Sequence, residues 1–571
     1  MSDPATPPRL SRSQFVVVLF LVLMAAAGLR SIYPLADPPS HASVGVVWHD
    51  EGAWVHNARN RALFGAWIQD DWNPLFITPV MTGLEYVSFW VFGVGLWQAR
   101  LVSDILGVLS VLAIAAGVAR IATPAAGLIA GLLLATNYVY VMYDRAAVME
   151  ATMVAFLVIA WWGYVRASDA PAWGVLAAIA AFLAYFSKAT GVFFVVSLAL
   201  DALITLTRRQ RAYARGAIWT LGSLAVVGLA ALLLFIVPYW DQYHFYNWET
   251  SVTRRPSYSL TALKDRITWF PIIHDFFSRM WIVTLLGIGA LAAIAARFRV
   301  LRPGERVLAL WIGFGTLELL ARDVGNERYF VYLIPPLVVL AALVLGRDRR
   351  LLAIDDTRER LSPGRLAWLT PFMLFILYVA VGSIVRLAFR FQIRPGVRVS
   401  ATIASLVALA ILVTWPRVPR ALSRHSWGFG ASLVVVALIV AADLAQFGRW
   451  VAVRSYKNYA AMRAIADWLP PGTLVHGKLA NGLALESRIR PIFIGRNFGN
   501  YRDRFSRDDV PYILTYTSPP GLEGQVILEV LAAYPKRRIL RTFELSETSS
   551  GHDEAALIEK WPGAGQGRKR E

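Results

Sequence analysis

The sequence predicts a polytopic α-helical membrane protein of about 13 transmembrane helices, with interfacial helices in its first external loop and a small C-terminal α/β domain. Three observations predict it. The 571 residues are 57% hydrophobic and 17% charged, at a mean hydropathy of +0.50, which is too apolar for a soluble chain of this length. The formal net charge of +19 sits largely in short links between apolar runs, a positive-inside pattern rather than the massed basic face of a nucleic-acid binder. Beyond about Tyr456 the apolar runs give way to short helix and strand signals.

Residues 1–14 read as a cytoplasmic N-terminus. The first run, Phe15 to Leu29, follows "PPRLSRS" with no small-residue cleavage site after it, so it reads as a span and not a signal peptide. Further runs, each of roughly 17 to 25 residues, begin near Arg100, Ala122, Ala146, Ala170, Ala189, Gly216, Met280, Val307, Tyr329, Leu366, Val399 and Trp427. The aromatic-rich stretch Ile77 to Trp97 is tested by parity. As a span, it would put the basic links Arg208–Arg215, Arg297–Arg306 and Arg347–Arg365 outside; lying in the interface, it turns them inward together with Arg417–His425. The interfacial placement is adopted, and it leaves one basic link, Arg386–Arg398, outside. The transmembrane domain is then 15–447, with external loops at 34–98 and 238–279. Shorter outer turns fall at Asp144–Glu150, Ser187–Thr190 and Arg322–Arg328, and an external, periplasmic-side domain runs from 448 to 571.

In that last domain "NYAAMRAIADWL" is helical by period and stops at Pro470-Pro471-Gly472. "TLVHG", "PIFIG" and "YILTYT" read as strands and "EGQVILEVLAAY" as a second helix. The absence of cysteine excludes disulfides, thiolate nucleophiles and Cys-ligated metal. No phosphate-cradling glycine loop falls on a strand-to-helix junction, which disfavours ATP- or NAD-dependent chemistry.

The outer face holds the polar variety. In "VWHDEGAWVHNARN", Asp50 and Glu51 start a helix that carries Trp54 and Asn57 at spacings of three and four, with His56 between them and Arg59 beyond. The plain alternative is a solvated acid pair favouring a helix N-terminus. The chemical reading is an acid held in place to take a proton from a nucleophile. Asp144, Arg145 and Glu150 lie at an outer turn between strongly apolar spans; a helix-end charge cluster accounts for the first two, but Glu150 stands about a turn into the apolar run and needs a partner. Lys188, isolated in "AFLAYFSKATGVFFVV", is a membrane-boundary anchor or a point charge for a phosphate, and Arg328, with Tyr329 beside it, has the same two readings. Arg254 and Arg255 stand in an aromatic external loop suited to a sugar or a headgroup. His49 and His56, seven apart, form no metal-ligand spacing; Asp50 and Glu51 are the one candidate pair of oxygen ligands for a divalent cation.

Taken in order, the acid pair, "NPLFITP", "YDRAAVME", the "SK" at an outer helix end and "ERYFVYLIPP" resemble the GT-C superfamily of membrane glycosyltransferases, nearest the branch of the protein O-mannosyltransferases and the lipid A aminoarabinose transferase. The resemblance covers Phe15 to about Gly346 by motif order and the rest by layout. It implies transfer of a sugar from a polyprenyl-phosphate-linked donor to an acceptor hydroxyl on a glycolipid, glycan or protein, with inversion, at the outer face of the cell inner membrane. It gives Asp50 the role of general base or acceptor positioner, with Glu51 in support. Arg59, Arg145 and Lys188 would face the donor phosphate, and Arg328 would add a further contact. Trp54 stands where the family usually has Tyr, and the resemblance assigns no role to His56-Asn57. The rival class is a transporter or flippase of lipid-linked intermediates, which places ionisable groups near the bilayer midplane; here the one clearly deeper acid is Asp201.

Overall fold

The computed structural model describes residues 10–39, 46–249, 279–296, 298, 301–321, 327–346, 429–494, 507–517, 521–547 and 553–561. Among these, six helices are long and apolar enough to cross a membrane, or seven if a bent pair counts as one span; the chain is a multi-pass membrane protein. Helices also stand at the predicted starts near Ala146, Ala170, Met280 and Val307, as Met149–Ala167, Trp173–Ser187, Trp281–Ala296 and Pro303–Ala321. They fall short of that test, in length or in apolarity. The runs predicted from Leu366 and Val399 lie outside the described residues.

The bent pair, Pro124–Thr136 and Tyr138–Asp144, turns by 63°. Breaking a helix within an apolar layer exposes backbone groups that need partners. Here the Asn137 side chain caps the Tyr140 N–H at 3.0 Å, and the Tyr138 N–H reaches Asp443 of the Phe429–Val453 helix at 3.2 Å. At the far end of the bundle Arg306 binds Asp201 at 2.5 Å while Tyr164 donates to the other oxygen at 2.8 Å. The deeper acid therefore ties three helices together.

The segment tested by parity forms a helix, Pro79–Phe92, of 14 residues. That is about 21 Å at 1.5 Å per residue, short of the ~30 Å apolar layer. It buries Met81, Thr82, Glu85, Ser88 and Phe89 on one face and exposes Val87, Trp90 and Val91 on the other, as an interfacial helix does.

The C-terminal residues form a five-stranded sheet in the order β2-β1-β3-β5-β4, with β1 Leu474–His476, β2 Arg490–Ile492, β3 Tyr512–Tyr516, β4 Arg537–Leu545 and β5 Asp553–Lys560. β1 runs parallel to β2 and β3, while β5 runs antiparallel to β3 and β4. The helix Lys457–Trp468 buries Asn458, Ala461, Met462 and Ile465, a three-four spacing. Met462 and Ile465 join Val475, Leu514 and Phe543 in one apolar cluster with Trp48, Val55, Met81 and Phe89 of the first loop.

That shared core is latched by polar contacts. Asp37 caps the Lys457–Trp468 helix, accepting from Lys457 N at 2.8 Å, Asn458 N at 3.2 Å and Ser455 Oγ at 2.5 Å. Leu96 N donates to Glu486 and Phe493 N to Asp70. Gly52 lies against the Asn481 carbonyl, where a Cβ would sit 2.0 Å from the oxygen. Only glycine lets the two backbones approach so closely.

Candidate functional site

Asp50 lies in the short helix Trp48–Trp54, which follows the extended Val47 and holds both acids in its first turn. Glu150 starts the Met149–Ala167 helix. Lys188 sits at the end of Trp173–Ser187, where the backbone turns extended (φ −161°, ψ 127°) before the short turn Ala189–Gly191. Arg328 and Tyr329 stand on the 3-10 stretch Glu327–Leu333. Four separate elements thus bring two carboxylates and two cations together.

Arg328 Nη1 donates to Asp50 Oδ2 at 2.5 Å, and its Nε lies 3.6 Å from Glu150 Oε1. Lys188 Nζ donates to the same Glu150 oxygen at 2.5 Å. The Tyr329 ring floors both cations, with Lys188 Nζ at 4.7 Å and the Arg328 guanidinium at 5.3 Å. The Glu150 side chain is 1% exposed and that of Arg328 18%, so the cluster opens at its arginine end. The two acids and two bases balance, as charges this buried must.

Glu51 points elsewhere. Arg100 binds it in bidentate fashion, both contacts at 2.8 Å, and Ala147 N donates to it at 3.0 Å. Arg100 also holds the Pro34 and Ala36 carbonyls at 2.7 Å. The two acids thus diverge to different arginines rather than converging on one cation. Among the described residues no group of three or more His, Asp or Glu could hold a metal ion.

Several predicted site residues do other work. Arg59 donates to the Ala484, Ser487 and Ile489 carbonyls at 3.1, 2.8 and 3.0 Å, and burial lowers it to about 9. It clamps the C-terminal unit and does not meet Lys188 or Arg328. Arg145 is likewise taken up by the Leu29, Arg30 and Tyr33 carbonyls and lies over the Trp450 ring at 4.6 Å. Burial leads the causes that lower it to about 10. Asp144 pairs with Arg30 at 2.7 Å and is fully buried. His56 meets Asp70 at 2.7 Å, Asn57 binds the Trp67 carbonyl and Asn73, and Trp54 packs on Trp72 at 5.7 Å. These three shape the loop that carries Asp50. Arg254 and Arg255 lie outside the described residues.

Sequence reading missed Arg30, Arg100, His49 and Glu547. The first two carried a signal: lone arginines at predicted outer ends of spans, against the positive-inside rule, need an acidic partner. Glu547, from just beyond β4, reaches His49 at 3.4 Å and accepts from Trp48 at 3.2 Å and from Tyr516. Burial raises its carboxyl, but the hydrogen bonds and the His49 ring outweigh this and hold it below the usual range.

Residues 78–240 match the family model described as dolichyl-phosphate-mannose-protein mannosyltransferase. That segment carries Arg100, Asp144, Arg145, Glu150 and Lys188 and stops short of Asp50, Glu51 and Arg328. No curated protein matches the chain. Among solved structures, ArnT from Cupriavidus metallidurans in the apo state is 17% identical, covering 95% of this chain and 97% of that one at a TM-score of 0.51. The same protein bound to undecaprenyl phosphate gives 16% identity, 95% and 97% coverage and a TM-score of 0.48. The archaeal oligosaccharyltransferase AglB from Archaeoglobus fulgidus, in complex with an inhibitory peptide and a dolichol-phosphate, gives 13% identity, 88% and 69% coverage and a TM-score of 0.44. The resemblance read from the motifs holds at the level of fold: the chain has the fold of ArnT from Cupriavidus metallidurans, and its residues 78–240 match the model of the dolichyl-phosphate-mannose-protein mannosyltransferase family.

Proposed function

We propose that the chain is an inverting glycosyltransferase that moves a sugar from a polyprenyl-phosphate donor to an acceptor hydroxyl at the outer face of the membrane. The observation that carries this reading is the convergence of Asp50, Arg328, Glu150 and Lys188 from four elements. In such a transfer the acceptor oxygen attacks the anomeric carbon as the bond to the phosphate oxygen breaks, so negative charge grows on the leaving phosphate. Lys188 and Arg328 stabilise that charge. Asp50 orients the acceptor hydroxyl and takes its proton. Glu150 fixes both cations, and the Glu51–Arg100 pair holds the acid helix against the start of the second span. The family match of residues 78–240 supports a lipid-phosphate sugar as donor.

The purified chain in lipid nanodiscs should transfer label from a polyprenyl-phosphate hexose or pentose to glycolipid, glycan or peptide acceptors. No transfer across such a panel, with the folded protein verified, would remove the reading. A flippase has no comparable support, since Asp201 is held by Arg306 and Tyr164.

The same reading places the first loop outside. Ala62, exposed on the helix His56–Phe64, is a suitable reporter in a chain without cysteine. Ala62→Cys should react with a membrane-impermeant maleimide added to intact spheroplasts; labelling only after lysis would reverse the topology.

A further inference from the structure

Beside the phosphate-facing cluster, His49 stands between two carboxylates on different parts of the fold. Its Nε2 lies 3.6 Å from Asp50 Oδ1, and its Nδ1 lies 3.4 Å from Glu547 Oε1. The ring is buried, and among the described residues neither nitrogen has a hydrogen-bond partner at ordinary distance. Trp48 meets the imidazole edge-on at 5.7 Å. Gly482 closes the other side, where a Cβ would come within 2.7 Å of His49 Cβ. Among the described residues, charged and titratable groups from three further elements face this line, Asp553 of β5 among them, which accepts from Glu547 N at 3.0 Å. Arg328 holds the other Asp50 oxygen, and Tyr516 and Trp48 donate to Glu547. A neutral imidazole has one N–H and here faces two acceptors; a second proton would give each carboxylate a donor.

We propose that His49 and Glu547 form a proton relay behind Asp50, so that the C-terminal sheet unit completes the site. The inference rests on the glycosyl-transfer reading above. In each turnover the acceptor O–H proton passes to Asp50 as the acceptor oxygen bonds to the anomeric carbon and the phosphate leaves with the bonding pair. Asp50 then hands the proton through Oδ1 to His49 Nε2, and the resulting imidazolium is balanced by Glu547. Loss of the proton from Nδ1 through Glu547, whose side chain is 16% exposed, to solvent leaves the ring neutral with its hydrogen on Nε2, and a half-turn of the imidazole brings the bare nitrogen back to Asp50 before the next turnover. His49 and Glu547 are positioning residues here, since neither touches the sugar.

The test uses the full-length chain in nanodiscs with a polyprenyl-phosphate sugar, comparing His49→Gln, Glu547→Gln and the double variant. Each single change should lower kcat by roughly 10- to 100-fold, the scale of a misplaced catalytic group, with KM for the donor unchanged. The acid limb of the kcat–pH profile should move in both. The double variant should be no slower than the slower single, because the two act as one unit. Glu547→Asp, which keeps the carboxylate, should recover part of the rate. Wild-type kcat and pH profile in both singles would overturn the relay while leaving glycosyl transfer standing. So would a loss of rate with an unmoved profile, or with additive effects, since both mark a packing role. A wild-type chain that transfers no sugar would overturn the transfer reading, and the relay with it.

Discussion

Asp50→Asn is expected to lower kcat for sugar transfer by roughly 10²- to 10⁴-fold, the range of a positioned general base, while the chain still folds and inserts. Asparagine keeps the volume and one oxygen for the 2.5 Å contact from Arg328. What it loses is the negative charge. The cluster of Asp50, Glu150, Lys188 and Arg328 then shifts from balance to a net positive charge, and the charge of Arg328 is no longer neutralised by Asp50 and acts on the donor phosphate. Affinity for an unreactive polyprenyl-phosphate sugar should therefore rise several-fold as turnover falls, which isothermal titration in nanodiscs would read. A generally disrupted site would lose both. Full transfer by this variant would sink the assignment of Asp50.

The second large effect belongs to Lys188. Lys188→Met leaves Glu150, whose side chain is 1% exposed, without its nearest cation among the described residues and with Arg328 at 3.6 Å. Removing one partner of a buried pair costs about 3–5 kcal/mol, so unfolding in detergent should occur at lower denaturant. Donor affinity should fall too, because a charge-assisted phosphate contact contributes on the order of 1.5–3 kcal/mol, roughly 10- to 150-fold. The double variant Lys188→Met/Glu150→Gln separates the two effects. Neutralising Glu150 should restore stability, and donor binding should stay weak. If Lys188 were only a membrane anchor, the double variant would bind donor as the wild type does.

The multi-pass helical class was legible because a stretch of apolar residues long enough to cross leaves few alternatives, and six or seven such helices stand among the described residues. The parity of basic links led to an interfacial reading of Ile77–Trp97, and the helix found there, Pro79–Phe92, has 14 residues. Asp50, Glu150, Lys188 and Arg328 stood out because a charge beside an apolar run needs a partner. Which partner was not legible, since the contacts join residues 38 and 278 positions apart. For the same reason Arg59 and Arg145 looked like donor ligands: a lone arginine on the outer side reads alike whether it awaits a phosphate or holds backbone carbonyls. His56 and Asn57 had no reading until Asp70 and Asn73 came beside them. Nor did sequence show that the C-terminal unit bears on the acid helix, because Glu547 lies in an unremarkable polar stretch after β4.

The latches between the first loop and the C-terminal unit also set a timetable for biosynthesis. Arg59 waits for carbonyls 425 to 430 residues downstream, and Asp37 for backbone N–H groups 420 and 421 residues away. At 5–20 residues per second a ribosome needs roughly 20 to 90 s to deliver them. Through that interval the nascent chain carries a charged, unsealed first loop beside spans already inserted. A chain truncated before residue 454 would keep every span described above yet retain that loop open for good, a surface that membrane proteases and chaperones can recognise. The acid helix is thus held in place only once the C-terminal unit has been made, and on the proposed reading a chain without that unit has no placed Asp50 to receive the acceptor proton.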